Sequence, residues 1–376
     1  MPANKPQIKD NKFTFKNKFW NIFSTLVFLF VIAFGCFYVY NLGIFNNIFS
    51  NLVYFSEPVF PELSSPKEVK FNWEYSGNKY YLSETYYQSA YEYYQKKDKG
   101  IYQGQEEESI NKYLNFPEED NSISNLTKKI QALGKENGLS SDEILELTAS
   151  FVQTIPYDFE MAKTNKTQPK YPYEVLYDKK GICSDKTFLA TALARELGYG
   201  TAVFFYNNQE HMASAIECPQ SYSNYSSGYC ILESTAKGNK IGIVPQMKSS
   251  GQADLQNYSK LNSSDLNNNN STKLNNPQIL AQTKNLEYKG IIKTITIKNE
   301  INLISEYLEK QKPIIEQQKK EVENLAARLE MYENQGDIAS YNNLVPVYNS
   351  QVSQLQSNID IYNSKVARYN NLINSD

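Results

Sequence analysis

The chain reads as an α+β protein: a buried helix packed on an antiparallel sheet, preceded by a membrane-spanning helix and followed by an antiparallel coiled-coil helical hairpin. Three observations predict this. The stretch "GICSDKTFLATALARELG" (Gly181 to Gly198) carries Phe188, Leu189, Ala192, Leu193 and Leu197 at three- and four-residue steps, the period of a helix with a buried face. Three strand-like runs follow it, Thr201 to Tyr206, His211 to Cys218 and Tyr229 to Thr235, and one helix followed by consecutive strands excludes a doubly wound sheet. Beyond residue 298 apolar residues recur every seven positions.

The elements are taken from the N-terminus. Residues 1–18 form a basic tail with Lys5, Lys9, Lys12, Lys16 and Lys18 against Asp10. Within residues 19–45, Ile22 to Tyr40 is apolar apart from Ser24 and Thr25, long enough to cross a bilayer as a helix. No Lys or Arg lies between Asn41 and Pro66, so the positive side, the N-terminus, faces the cytoplasm and the bulk of the chain is extracellular. A cleaved signal peptide would need a small-residue cleavage site that "CFYVYNLG" does not offer. A lipidated junction at Gly35 and Cys36 stays an alternative to the uncleaved anchor. Residues 46–66 are a Pro-punctuated spacer. Residues 67–125 are rich in aromatics: "KFNWEYSGNKYYLS" reads as two short strands about Ser76, Gly77 and Asn78, and "ETYYQSAYEYYQKK" as a helix with a Tyr stripe that packs.

Residues 126–248 hold the core. Ser140 caps a helix whose Ile144, Leu147, Phe151 and Ile155 share a face, and Pro156 ends it. A polar loop and "YPYEVLYDKKGIC" lead into the central helix. Gly181 allows a tight approach to that helix and Gly198 stops it. Cys183 therefore sits at a rigid helix N-terminus, where the dipole favours the thiolate and free backbone N–H groups supply donors for an oxyanion. The chain contains 30 Tyr but one histidine, so His211 is the one histidine available as a base for that thiol. Pairing the second and third strands with His211 opposite Glu233 turns both side chains to one face, and a carboxylate there orients the imidazole. Cys183, His211 and Glu233 then make the arrangement of a thiol acyl-transfer enzyme. The bland alternatives are a core cysteine and a structural histidine; it is the combination that favours chemistry.

These residues resemble a family. The stretch from "YPYEVLYDKKGIC" to "GTAVFF", with "HMASAIE" and "YCILESTAKGNKIG", is similar to the transglutaminase-like superfamily of papain-fold cysteine enzymes: G-x-C-x-D-K at a helix start (Gly181, Cys183, Asp185, Lys186), a strand opening with His211, and acid-x-Thr (Glu233, Thr235). The helix from Ser140 to Ile155 and "IPYDFE" match the family's lead-in, so the likeness spans roughly Ser140 to Pro245. It implies a papain-like core, Cys183 as nucleophile, His211 as general base and acid, and Glu233 as the residue that orients it. It also implies a peptide or protein substrate at the cell surface, attacked at an amide carbonyl, with water or an amine accepting the acyl group. No cofactor is implied. The sequence departs from the family in having Glu233 where Asp is usual, Ile182 where an acid is common, and Met212 and Ala213 where an aromatic often follows the histidine. A noncatalytic surface scaffold using the same fold stays open as the alternative. For the second oxyanion donor, Tyr173 is a conjecture from position.

Cys218 and Cys230 flank a loop, but the register that pairs His211 with Glu233 sets them four residues out of step, roughly 13 Å along a strand and beyond the ~7 Å between Cα atoms that a disulfide tolerates. That register takes precedence, and the disulfide is left open. The cysteines and one histidine show no structural-zinc spacing, so no metal is expected. The net charge of -3, with no basic stripe, excludes a nucleic-acid partner. Residues 249–288 are an Asn-rich insertion expected to be disordered, with N-x-S/T sequons at Asn257, Asn262, Asn269 and Asn270 besides those at Asn125, Asn165 and Asn224. Residues 289–298, "GIIKTITI" within them, read as a further strand. In residues 299–376 two heptad tracks, Ile301 to Leu329 and Ile304 to Tyr332, are followed across "ENQGD" by Val345 to Ile373 and Tyr341 to Tyr369. Pro313 and Pro346 should kink these helices or start them. Self-association or a protein partner through the hairpin is an expectation beside simple intramolecular packing.

Overall fold

The computed structural model describes residues 58–164, 168–248, 253–254 and 271–374. Contacts separate Met1–Pro58 from Val59–Asp376, and every element below belongs to the latter. The membrane span read at Ile22 to Tyr40 lies outside the described residues, and no helix among the described residues is long and apolar enough to cross a membrane. The architecture is α+β, with antiparallel sheets and a C-terminal helical pair.

Strands β1 (Pro66–Tyr75) and β2 (Asn78–Tyr87) form a hairpin closed by Ser76 and Gly77, both at positive φ, 47° and 75°. Such a two-residue turn matches the twist of its strands, and glycine tolerates the second position without strain. The strands are longer than expected. Burial alternates from Tyr80 through Leu82 and Glu84 to Tyr86, so Tyr86 and Tyr87 extend β2 and the helix with the Tyr stripe, α1, begins only at Gln88 (Gln88–Lys96). Phe71 and Trp73 on β1 meet Phe151 edge-on. The hairpin, α1 and the next two helices, α2 (Glu106–Leu114) and α3 (Ser122–Glu136), thereby share one core with the central helix.

Helix α4 (Ser141–Thr154) starts in a capping box: Glu143 N–H donates to Ser140 Oγ and Ser140 N–H to Glu143 Oε2. The short α5 (Phe159–Ala162) and α6 (Pro172–Asp178) lead to α7 (Cys183–Glu196). One apolar stripe understates α7, because every residue from Ser184 to Ala194 is buried. Its polar residues are tied to the sheet: Thr187 Oγ1 donates to Met212 O at 3.0 Å and Thr191 Oγ1 to Ser214 Oγ at 2.9 Å. These bonds pin the helix that begins with Cys183 to the strand that begins with His211.

The main sheet runs β5–β4–β3–β9, from β3 (Thr201–Tyr206), β4 (His211–Glu217), β5 (Tyr229–Leu232) and β9 (Gln278–Leu280). The fourth strand of this sheet, β9, lies inside the segment expected to be disordered. Three further short strands, β6 (Gln246–Lys248), β7 (Ala253–Asp254) and β8 (Ser271–Lys273), make a second antiparallel sheet. The strand expected at residues 289–298 is instead the first turns of α8 (Gly290–Gln335). Ile291 is fully buried and Ile295 packs on the same core one turn later. Asp142 Oδ2 accepts the N–H groups of Lys289 and Gly290, capping α8 from the start of α4.

Helix α8 turns at Gly336 (φ 70°) into α9 (Ile338–Asn374), which packs back along it. Both α8 tracks, Ile301 to Leu329 and Ile304 to Tyr332, are buried or half-buried. On α9 the Tyr341 to Tyr369 track is half-buried throughout, whereas Val352 and Ile373 of the second track are exposed. Pro313 and Pro346 lie inside continuous helices and start neither.

Candidate functional site

Cys183 is the first residue of α7, half-buried and the one free cysteine among the described residues. The turn before it is crowded: a Cβ on Gly181 would come within 2.9 Å of Asp185 Cβ, so only glycine fits. Asp185 holds the turn, its carboxylate accepting Ile182 N–H at 3.0 Å and Lys170 N–H at 2.8 Å. Burial pushes the Asp185 carboxyl up to about 7, against the pull of those two donors. The segment after α4 lies alongside: Gly181 N–H donates to Pro156 O and Asp158 N–H to Gly181 O. Lys186, one turn into α7 and buried, donates from Nζ to Ile155 O at 2.6 Å and Gln153 O at 3.3 Å. Burial pulls its ammonium down to about 7, Glu233 partly opposing.

His211 opens β4 after Glu210, whose φ of 46° makes the tight turn from β3. Its Nε2 lies 2.8 Å from Glu233 Oε2, and both side chains are fully buried. The other carboxylate oxygen, Oε1, accepts the N–H and the hydroxyl of Thr235, each at 2.7 Å. Both oxygens of the carboxylate are thereby held. With Nε2 taken, Nδ1 is the ring nitrogen left for Cys183. Burial alone would lower the His211 pKa; the negative charge and hydrogen bond of Glu233, with the nearby Cys183 sulfur, overcome it and raise the imidazolium to about 10. Glu233 is held below the ordinary carboxylate range, burial being outweighed by His211 and Thr235.

The register that delivers this contact differs from the expected one. In the ladder Ser214 faces Leu232 and Ile216 faces Cys230, so Glu233, just beyond β5, continues toward Ala213 and is staggered from His211 by two residues. The longer Glu side chain spans a stagger that a directly opposed pair would not have. At the other end the same stagger is enough to join Cys218 and Cys230, whose Cα atoms are 5.8 Å apart in a disulfide. The ladder lies midway between those two mutually exclusive registers, and diagonal neighbours on a strand pair remain within side-chain reach. The Asn224 sequon is engaged here as well: Asn224 Oδ1 accepts Ile231 N–H and Nδ2 donates to Gly242 O, closing the free edge of β5.

Cys183 and His211 open on a cavity of about 470 Å³. Ile182, Phe205 and Met212 line it from the core, and Lys99, Gly100 and Ile101 supply a wall from the N-terminal region. Lys99 is committed to an ion pair with Glu174 at 2.6 Å. Tyr173, conjectured as an oxyanion donor, is elsewhere: its hydroxyl bonds the backbone of Tyr87 and packs beneath the β1–β2 hairpin. The residue beside the thiol is Tyr157, from "IPYDFE". Burial, with the charges of Cys183, Asp185 and Glu233, raises the pKa of its hydroxyl, and the nearby backbone N–H of Cys183 partly opposes that rise. Only the bridge between Tyr157 and Gly181 brings it there. Periodicity carries no trace of that contact, and the motif was the one signal that could have pointed to it. Among the described residues no group of His, Cys, Asp and Glu could hold a metal ion.

A thiol, an imidazole and a carboxylate in series, with a backbone N–H and a hydroxyl at the thiol, can transfer an acyl group through a thioester. Residues 125–231 match the family model described as the Transglutaminase-like superfamily. The match begins in α3 and includes Cys183 and His211; Glu233 lies two residues past its end. No curated protein and no solved structure matches the chain.

Proposed function

We propose that this protein is a thiol enzyme of the transglutaminase-like class that attacks amide carbonyls of a peptide or protein through Cys183, His211 and Glu233. The observation that carries the reading is the fully buried His211–Glu233 pair, with Nε2 bound to the carboxylate and Nδ1 left toward the thiol at a helix start. In the reaction the Cys183 proton passes to His211 Nδ1, and the sulfur forms a bond to the carbonyl carbon. The Cys183 N–H and the hydroxyl of neighbouring Tyr157 serve as the two donors to the oxyanion. The imidazolium returns its proton to the leaving amine as the C–N bond breaks, leaving an acyl-enzyme, and water or an amine resolves it with His211 as base. Glu233, fixed by Thr235, keeps the ring oriented and stabilises its charge.

The papain-like assignment of the core rests on the same group of residues and on the family match. An external location, with Ile22 to Tyr40 as a single membrane anchor, accords with the Cys218–Cys230 disulfide, which persists in an oxidising compartment. The test is the rate of Cys183 alkylation by iodoacetamide against pH in the chain from Ser56 onward, beside His211→Ala. Fast labelling below pH 7 that collapses in the variant supports the enzyme. An ordinary thiol curve in both proteins overturns it and leaves the binding-only scaffold.

A further inference from the structure

We infer that Gln153, in the last turn of α4, is the positioning residue that holds Glu233 in line with His211; the inference rests on the thiol-enzyme reading above. The Gln153 side chain is buried, and its amide contributes nothing to its own helix. All three of its bonds go to the loop that carries the acid: Nε2 donates to Glu233 O at 2.9 Å and to Asn239 O at 2.8 Å, and Oε1 accepts Gly238 N–H at 3.0 Å. The loop needs such a clamp. β5 ends at Leu232, so Glu233 has left the ladder and has no strand partner to fix its backbone. Thr235 grips the carboxylate, but Thr235 belongs to the same loop and would move with it. Gln153 ties that loop to a helix.

Gln153 is itself anchored from the nucleophile's side. Lys186 of α7 donates Nζ to Gln153 O and Ile155 O, so the helix that begins with Cys183 holds the end of α4, and the end of α4 holds Glu233. The relay runs from thiol helix to acid without passing through the sheet. The titratable groups facing the His211–Glu233 pair are Cys183 and Lys186 from α7, Tyr157 from the segment after α4, and Tyr206 from β3. None of them is altered by changing Gln153. A displaced Glu233 would weaken its charge interaction with His211 steeply, because neither side chain is screened by solvent.

His211 is the only histidine, so its ring nitrogens give one unambiguous set of NMR signals in 15N-labelled protein. The experiment titrates His211 in the wild type, in Gln153→Met, which keeps the length and removes all three bonds, and in Gln153→Asn, which keeps the amide but falls short of the loop. Thr148→Val is the control: Thr148 is buried in the same helix and its hydroxyl bonds only Ile144 O. Both Gln153 variants should lower the His211 midpoint by about one pH unit or more and slow Cys183 alkylation at pH 6.5 about tenfold. Thr148→Val should lower the melting temperature and leave the midpoint in place. Folded Gln153 variants with the wild-type midpoint and labelling rate overturn the inference, and if Gln153→Met does not fold, Gln153→Asn decides. A wild type that itself lacks the raised midpoint and fast labelling sinks the thiol-enzyme reading instead, so the two failures are distinguishable.

Discussion

Replacing Glu233 by Gln preserves volume and removes one buried charge, and the bonds around that carboxylate dictate how the site responds. Oε1 of Glu233 accepts two bonds from Thr235, so the amide keeps its oxygen there and turns its NH2 toward His211 Nε2. Nε2 must then accept, and the neutral ring carries its proton on Nδ1, the nitrogen that has to take the Cys183 proton. The base is present in the wrong tautomer. Glu233 and Cys183 together hold the imidazolium at about 10 against an ordinary 6.5, a rise worth roughly 5 kcal/mol at 1.36 kcal/mol per pH unit. The His211 and Glu233 side chains are fully buried, so solvent screening does not discount this order of magnitude. Without the carboxylate, burial dominates and the midpoint should fall below 6.5.

The raised value also sets the sign of the stability effect. In the wild type the His211 contribution is complete below pH 6.5 and is lost as pH rises toward 10. In Glu233→Gln stability should be flat across that window. Melting temperature against pH measures this, the NMR midpoint of the sole histidine measures the pKa, and alkylation at pH 7 should slow by about 10²- to 10⁴-fold. A variant that labels like the wild type with an unmoved histidine would refute the tautomer argument.

Three further outcomes are expected. Tyr157→Phe should lower kcat about 10- to 100-fold with little change in KM, whereas Tyr173→Phe should leave kcat alone and cost about 1 kcal/mol of stability through its lost Tyr87 bond; steady-state kinetics and thermal melts separate the two. Replacing Cys218 and Cys230 by Ala should cost about 2–4 kcal/mol in denaturant titration yet keep the His211 midpoint, because the ladder from Ser214 to Glu217 still sets the stagger. Ile291→Ala should cost about 2–5 kcal/mol in the same titration, since a fully buried side chain there roots α8 in the core.

The candidate thiol site and the main helices were readable from residue type and local spacing. A lone histidine, a cysteine at a helix start and an acid-x-Thr leave few ways to assemble a thiol site, and the capped α4, the central α7 and the seam of α8 follow from helical periodicity, which depends only on neighbours three and four residues away. The run "GIIKTITI" shows where that rule stops. Its β-branched residues favour a strand, but Ile291 and Ile295 sit one helical turn apart over a buried face, and Asp142 supplies the cap from 148 positions earlier in the chain.

What the amino-acid order determined by itself was the inventory and its local geometry: which side chains could react, and on which elements they stood. What only the tertiary structure decided was relative placement. A strand register is chosen by the whole ladder, here a compromise that satisfies the His211–Glu233 bond and the Cys218–Cys230 disulfide at once. The neighbour of the thiol is chosen the same way. Tyr157 reaches Cys183 and Tyr173 does not, because backbone bonds between Pro156, Asp158 and Gly181 join two segments whose proximity no local pattern encodes.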